Sequence, residues 1–217
     1  MKAIFLNGSP RKNFNTAKLL ESAMSGAKDA GAEVELINLY DFEYTGCKSC
    51  FACKIKNSKT NGLCIVKDKL RPILEKTFDA DAIIVGSPVY LSYPTGQVIN
   101  FMERLTFPIN TYNVDENGNH MTLPHKPVKT AIIYTMNCPE DWMEKFNYKI
   151  LLGEFGKIFE NIFGHNEIFY CCNTYQYADY SRYEGNMFDE KKKREHRDKQ
   201  FPKDLQKAYE LGKSFAE

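Results

Sequence analysis

Short, wholly apolar segments alternate along this chain with longer segments whose apolar residues recur at helical spacing. A short apolar run without polar alternation is typical of a strand that is buried on both faces of a sheet. Residues 3–6 (AIFL) form the first run, and the helix-spaced residues that follow it are Leu20, Ala23, Met24 and Ala27. Because strands that alternate with helices are joined by right-handed crossovers, this pattern predicts a parallel sheet with helices on both faces.

The complete pattern contains five predicted strands and five predicted helices. The strands are expected at residues 3–6, 34–37, 82–87, 128–134 and 168–171. The helices are expected from residue 16 to a stop at Gly31, at 70–78, at 98–105, at 142–163 with a stop at Gly164, and from near Pro202 onward. We therefore expect an α/β fold: a flavodoxin-like, doubly wound, five-stranded parallel sheet in the order 2-1-3-4-5 with helices on both faces.

A single domain over residues 1–217 accounts for the length of the chain. The domain includes a cysteine-rich loop at residues 46–67. Two segments lie outside the strand and helix pattern: a polar segment at 107–127 with an Asn117-Gly118 turn signal, and a tyrosine-rich arm at 173–189, which together with the last helix makes up residues 173–217. Connections this long are typical of lids, binding loops or partner-contacting arms, and a plain surface loop is the alternative.

The charge balance and the apolar segments exclude several classes of protein. Lys and Arg number 29 against 28 Asp and Glu, which gives a net charge of +1 and argues against nucleic-acid binding. The N-terminal apolar run is too short for a signal peptide, and we expect no membrane-spanning segment, so a cytoplasmic location is expected. Seven cysteines in such a chain favour reduced thiols, metal ligands or redox groups over a disulfide framework.

The loop after the first strand, residues 8–16, is the candidate phosphate loop. It offers the side chains of Ser9, Arg11, Asn15 and Thr16 at the start of a helix, where free N–H groups and the helix dipole favour an anion. The sequence has neither the Gly-Lys-Ser/Thr ending of a nucleotide-triphosphate loop nor the Gly-x-Gly-x-x-Gly of a dinucleotide site. A terminal monophosphate fits better, and the alternative is that Ser9, Asn15 and Thr16 only cap the helix.

The loop after the third strand, residues 87–91, is the candidate ring loop. In an open parallel sheet, ligands bind where the strand order reverses, so this loop is expected beside the phosphate loop. Its backbone amides and aromatic side chain can contact the edge and face of a planar ring. The residues expected to do so are Pro88, Val89, Tyr90 and Leu91.

Together, the two loops resemble the FMN loops of the NADPH-dependent FMN reductases, in both order and separation. The resemblance extends over about residues 1–106 and implies that Ser9, Arg11, Asn15 and Thr16 hold the FMN phosphate. It also implies that Pro88, Val89, Tyr90 and Leu91 border the isoalloxazine ring. A third loop, residues 135–139, occupies the position at which the family often closes over the flavin, but it lacks the usual Gly-rich stretch.

Four cysteines lie close together in the cysteine-rich loop: Cys47, Cys50, Cys53 and Cys64. Four soft ligands in one loop suit an iron-sulfur cluster or, less readily, a zinc ion. With Asp68 beyond it, the segment resembles the iron-sulfur flavoproteins, which implies a 4Fe-4S cluster held by these cysteines near the flavin. The gap between Cys53 and Cys64 is longer and more basic than the compact spacing usual in that family. A redox or structural group of thiols and a zinc site are therefore alternatives to the cluster.

These features predict an FMN-dependent NAD(P)H oxidoreductase that passes electrons to a quinone, a nitro or azo compound, a flavin or another small-molecule acceptor. The flavin would carry the chemistry, and no catalytic side chain is assigned. The alternatives are an electron carrier with a ferredoxin-like partner and a non-redox ligand-binding module. A homodimer is the expectation for this fold, with the tyrosine-rich arm as a contact.

The basic run at residues 191–194 (KKKR) is interpreted as a solvated helix face.

Overall fold

Parallel strands form the centre of the computed structural model, which describes residues 1–216. The strands are β1 (Lys2–Asn7), β2 (Glu33–Asn38), β3 (Ala82–Tyr90), β4 (Tyr93–Pro94), β5 (Asn110–Val114), β6 (His120–Thr122), β7 (Lys129–Thr135) and β8 (Asn166–Cys171). The helices are α1 (Asn15–Asp29), α2 (Arg71–Phe78), α3 (Gly96–Thr106), α4 (Glu140–Lys145), α5 (Tyr148–Phe163) and α6 (Glu190–Ala216).

The five long strands run parallel in the order β2-β1-β3-β7-β8. When only these strands are numbered, the order is the predicted 2-1-3-4-5. The sheet differs from the prediction by a sixth, short strand, because β4 turns back and pairs antiparallel with the end of β3. Within the polar segment at 107–127, β5 and β6 form a separate two-stranded hairpin that the sequence pattern did not predict.

The central strands present successive side chains to two different cores, as buried parallel strands must. In β1, Ile4 and Leu6 join the core beneath α2, α3 and α5. Ala3 and Phe5 join the opposite core beneath α1 and α6. All four side chains are fully buried, so the wholly apolar run at residues 3–6 is explained by burial on both faces.

Two helix predictions were wrong in their extent. The long helix predicted at 142–163 is divided into α4 and α5, because Asn147 adopts the left-handed conformation with a φ of 54°, which asparagine tolerates better than most residues. The last helix begins at Glu190 rather than near Pro202, and the proline lies inside it. The Asp189 side chain accepts a hydrogen bond from the Lys192 amide and so supports this earlier start.

Helix α6 packs unusually closely against α1. A Cβ atom at Gly212 would lie 1.8 Å from the Ala23 carbonyl oxygen, and one at Gly26 would lie 2.0 Å from the Tyr209 carbonyl oxygen. Only glycine allows two helix backbones to approach this closely. The contact fixes α6 beside the helix that begins at the phosphate loop.

Along residues 1–216, no helix combines the length and apolar character needed to cross a membrane.

Candidate functional site

The phosphate loop and the ring loop meet in one cleft at the carboxyl end of the sheet, where the strand order reverses between β1 and β3. The cleft has a volume of about 200 Å³. Seven of the eight predicted flavin-site residues line it: Ser9, Arg11, Asn15, Thr16, Pro88, Val89 and Tyr90. The structure therefore brings the two predicted loops together, as the parallel topology requires.

Leu91 is the predicted site residue that does not line the cleft. It is 95% exposed, and its φ of 50° together with the φ of 71° at Ser92 forms the two-residue turn between β3 and β4. Two successive positive φ angles are typical of the tight hairpin turns whose twist matches the flanking strands. This turn carries the Leu91 side chain away from the cleft and leaves Tyr90 as the last residue of the ring loop that lines it.

Polar contacts within the phosphate loop hold its backbone in place. The Ser9 amide donates to Asn7 Oδ1 over 3.0 Å, and the Arg11 amide donates to Ser9 Oγ over 3.1 Å. The Thr16 hydroxyl shares a 2.7 Å hydrogen bond with the Thr135 hydroxyl at the end of β7. The loop is thus an ordered turn, and one of its anchors comes from the third loop.

The start of α1 is free to bind an anion. Its N-cap residue is Phe14, and no side chain caps the helix. The alternative in which Ser9, Asn15 and Thr16 serve only as caps is therefore wrong. The Arg11 guanidinium lies 3.3 Å from the centroid of the Phe14 ring, which places a positive charge beside this helix end.

The third loop and the tyrosine-rich arm complete the cleft. Residues that the sequence-based prediction did not assign also line it: Thr135, Met136, Asn137, Thr174, Gln176 and Tyr177. Asn137 Nδ2 donates to Gln176 Oε1 over 2.8 Å, whereas Asn137 Oδ1 is buried without a hydrogen-bond partner. Most buried acceptors have a hydrogen-bond partner, so the unpaired Asn137 Oδ1 marks this wall of the cleft as incompletely satisfied.

The tyrosine-rich arm contacts the phosphate loop directly. Arg11 Nη1 donates to the Gln176 carbonyl oxygen over 2.7 Å, and Asn15 Nδ2 donates to the Tyr175 carbonyl oxygen over 3.0 Å. Within the arm, the Tyr177 and Tyr183 rings stack at 4.0 Å. The arm is thus a wall of the cleft in its own chain. Its sequence signal was only an unusual density of tyrosines, which does not specify where a loop will pack.

Lys193 supports the third loop from behind, which differs from the interpretation of residues 191–194 as a solvated helix face. Its neighbours are exposed, but Lys193 is only 3% exposed and its Nζ donates to the Asn137 carbonyl oxygen over 2.6 Å. Burial lowers the pKa of Lys193 to about 8. A helical lysine run gives no sign of which member faces inward, because that depends on how α6 packs.

These residues fit FMN by the chemistry that they offer. The uncapped helix start and the Arg11 guanidinium suit a phosphate. Pro88, Val89 and Tyr90 provide apolar and aromatic surface for a planar ring. No catalytic acid or base is needed in such a site, because a flavin supplies the redox chemistry.

The four cysteines of the cysteine-rich loop line one small cavity of about 20 Å³. Cys47 and Cys50 are exposed, whereas Cys53 and Cys64 are half-buried, and burial raises the pKa of the Cys53 thiol. Among residues 1–216, no group of three or more His, Cys, Asp or Glu side chains is arranged to hold a metal ion. As placed, these side chains therefore support neither a zinc site nor a preformed cluster site.

A 4Fe-4S cluster needs a wider arrangement of cysteines than a single metal ion does, because each thiolate binds a different iron. Four thiols facing one cavity match that donor set, but the cavity has room for only about one water molecule. Binding of a cluster would therefore require these cysteines to move apart.

Helix α3 holds the cysteine-rich loop at both ends through Arg104, a residue that sequence reasoning missed. Arg104 is 1% exposed, and it donates to the carbonyl oxygens of Thr45 and Val66 and to the Asp68 carboxylate. Arg104 also lines the cysteine cavity, and its Nε is buried without a partner. Nearby, Lys54 Nζ donates to the carbonyl oxygens of Phe107 and Asn110.

Of the remaining cysteines, Cys138 lies in the third loop, Cys171 ends β8 and Cys172 follows it. Cys171 is buried, and Cys138 and Cys172 are half-buried. Burial raises the pKa of Cys172 to about 12 and also raises the pKa of Cys138. These thiols stay protonated near neutral pH and are therefore poor nucleophiles.

Comparison with known proteins identifies the family of the chain and agrees with this fold. Residues 1–135 match the family model of NADPH-dependent FMN reductase. An iron-sulfur flavoprotein from Archaeoglobus fulgidus is 42% identical over 104 residues, which covers 48% of each chain. Another, from Methanocaldococcus jannaschii, is 38% identical over 104 residues and covers 48% of this chain and 51% of the relative. The chain thus spans about half the length of the curated relatives that it matches.

Solved structures share the fold at low sequence identity. An NAD(P)H:quinone oxidoreductase from Methanothermobacter marburgensis superimposes with a TM-score of 0.70 at 13% identity, covering 100% of this chain and 98% of the other. An azoreductase from Bacillus anthracis gives a TM-score of 0.67 at 12% identity over 99% of both chains. Because the family model covers more than half of its length, the chain belongs to the NADPH-dependent FMN reductase family.

Proposed function

We propose that this protein is an FMN-dependent oxidoreductase that takes electrons from NAD(P)H and passes them to a small-molecule acceptor. The observation that carries the proposal is the cleft in which the uncapped start of α1 and Arg11 lie beside Pro88, Val89 and Tyr90. A phosphate site next to a planar-ring site, at the reversal point of a parallel sheet, matches a mononucleotide such as FMN.

In the proposed binding, the phosphate loop and the ring loop hold different parts of FMN. Ser9, Arg11, Asn15 and Thr16 hold the phosphate, with the charge of Arg11 and the N–H groups of α1 as its main attraction. The ring loop supports the flavin ring. Bound FMN supplies the hydride and electron transfer. The protein orients the ring and leaves one face open to the co-substrate.

The acceptor classes follow from relatives of known name. The similar structures named above are an NAD(P)H:quinone oxidoreductase and an azoreductase. We therefore propose quinones and azo compounds as the first acceptors to test, with nitro compounds and free flavin as the wider class. Tyr90, which lines the cleft and is half exposed, gives such planar molecules access to the ring.

Steady-state kinetics of the FMN-loaded protein test this proposal. Both NADH and NADPH would be varied against a quinone and against an azo dye, with FMN-free protein as the control. Parallel lines in double-reciprocal plots are expected, because the nicotinamide leaves before the acceptor binds. FMN-loaded protein that oxidises neither nicotinamide would contradict an NAD(P)H-dependent enzyme.

A second candidate function is an iron-sulfur flavoprotein that carries electrons to or from a ferredoxin-like partner. The observation that favours it is the common cavity lined by Cys47, Cys50, Cys53 and Cys64. In this proposal the four thiolates bind the cluster, and α3 supports them through the Arg104 contacts with both ends of the loop.

Iron and acid-labile sulfide analysis of anaerobically purified protein separates the two proposals. The carrier model expects both elements in the wild type and their loss in Cys53→Ser. The matched control is Cys138→Ser, which removes a half-buried thiol outside the cysteine-rich loop. Protein that contains flavin but no iron would leave the carrier model without its second redox centre.

The homodimer stays a prediction, which sedimentation equilibrium can test.

A further inference from the structure

We propose that Arg197 of α6 is a positioning residue of the FMN phosphate site, and that it acts by fixing the orientation of the Asn15 side-chain amide. This inference rests on the proposed FMN function. Arg197 Nη1 donates to Asn15 Oδ1 over 2.7 Å. Asn15 is only 6% exposed and lines the cleft, whereas Arg197 does not line it.

The two partners of Asn15 permit a single orientation of its amide. A guanidinium can only donate hydrogen bonds and a backbone carbonyl can only accept them. In the structure, Oδ1 faces Arg197 and Nδ2 faces the Tyr175 carbonyl oxygen. A flipped amide would set donor against donor and acceptor against acceptor, so the network excludes it.

This orientation gives Asn15 the polarity that a phosphate needs. The amide nitrogen has two hydrogens, and the Tyr175 carbonyl oxygen uses one of them. The second hydrogen remains available to an anion at the start of α1. Without Arg197, only the Tyr175 carbonyl oxygen would hold the amide in this orientation, and an amide that turned its oxygen toward the anion would repel it. The geometry therefore makes Arg197 a determinant of phosphate recognition.

Arg197 is itself held rigidly. Its guanidinium lies 4.5 Å from the centroid of the Phe201 ring one turn further along α6. The close approach of α6 to α1 at Gly212 and Gly26 fixes the helix that carries it. Arg197 lies beyond residues 1–135, which match the family model, so this contribution comes from the C-terminal part of the chain.

Paired titrations of apo-protein with FMN and with riboflavin test the inference, because riboflavin has the same ring but no phosphate. Arg197→Ala is expected to weaken FMN binding about tenfold, the scale of a lost hydrogen bond to a charged group, and to leave riboflavin binding unchanged. Arg197→Lys should restore part of the preference for FMN. The matched control is Arg194→Ala, which removes an exposed arginine that contacts Tyr175 Oη and Glu190 but not Asn15.

A double-mutant cycle with Asn15→Ala separates positioning from direct attraction. If Arg197 acts through Asn15, Arg197→Ala should cause little further loss of FMN affinity in the Asn15→Ala background. Additive losses, or equal losses for FMN and riboflavin, would overturn the inference while the FMN proposal stands. Wild-type protein that binds no FMN would overturn both. Thermal unfolding of every variant checks that the fold is retained.

Discussion

Arg104 and Asp68 form a two-point ion pair that closes the cysteine-rich loop. Arg104 Nη1 lies 2.5 Å from Asp68 Oδ2, and Nη2 lies 3.0 Å from Oδ1. The arginine side chain is fully buried and the aspartate side chain is 23% exposed. Because α3 follows the ring loop, this pair connects the segment that carries the cysteines to the segment that borders the cleft.

We predict that Asp68→Asn lowers the free energy of unfolding by about 3 kcal/mol, because it leaves the buried Arg104 without its counter-charge. Chemical denaturation measures this change. The control is Glu154→Gln, which breaks the exposed Lys157–Glu154 pair and should cost less than about 0.5 kcal/mol. Equal effects of the two substitutions would show that burial of the Arg104 pair contributes nothing.

The Asp68 pair also predicts an acid dependence. Burial opposes ionisation of Asp68, but the hydrogen bonds from Arg104 prevail and lower its pKa below the ordinary value of 3.8. The contribution of the pair is therefore present above that value and is lost as the pH falls through the lowered pKa. The stability difference between wild type and Asp68→Asn should shrink in this acid range. A difference that does not change there would contradict the assignment.

For the phosphate loop, Arg11→Ala should weaken FMN binding by about 1.5 to 3 kcal/mol, the scale of a hydrogen bond to a charged group. Riboflavin binding should change far less, because it lacks the phosphate. Lys12→Ala is the matched control, since Lys12 is the next residue but pairs with Asp41. Fluorescence titration with both ligands measures the effect, and unchanged FMN affinity in Arg11→Ala would refute the role of this side chain.

Lys193 should make stability rise with pH. Burial lowers its pKa to about 8 from an ordinary value of 10.5. Between these values the unfolded chain binds a proton that the folded chain does not, so folding is favoured as the pH rises through this window. Relative to Lys193→Met, the wild type should gain stability between about pH 8 and about pH 10.5. A pH-independent difference in the free energy of unfolding would contradict the burial of a charged Lys193.

The contact between α1 and α6 predicts opposite effects for two glycine substitutions. Gly212→Ala should destabilise the protein by about 1 to 3 kcal/mol, because its Cβ would collide with the Ala23 carbonyl oxygen. Gly153→Ala, in α5 with no atom within 4 Å of the new Cβ, should stabilise it by about 0.5 to 1 kcal/mol. Thermal denaturation compares them, and a tolerated Gly212→Ala would refute the close approach of the helices.

Most of the fold follows from local sequence patterns, because its strands are buried on both faces and its helices are amphipathic. The five parallel strands and their order could be predicted in this way. The division of the helix at Asn147 depends on one left-handed residue, which asparagine permits but does not require. The early start of α6 could not be predicted either, because Pro202 is a typical helix-start signal and here lies inside the helix.

The candidate site likewise has a part that the sequence predicts and a part that it does not. The phosphate loop and the ring loop are short, contiguous motifs at strand ends, so the sequence indicates both their chemistry and their meeting point. Arg104, Lys193 and Arg197 act through partners that are distant in sequence: Arg197, for example, contacts a residue 182 positions away. Such contacts depend on helix packing, which no local pattern specifies.

Equilibrium titration of apo-protein with FMN decides whether the cleft is a flavin site. We expect saturable, equimolar binding with a visible flavin spectrum, a clear preference for FMN over riboflavin, and a smaller preference in Arg11→Ala. A colourless protein that ignores added FMN, or one that binds FMN and riboflavin equally well, would contradict the phosphate site at the start of α1.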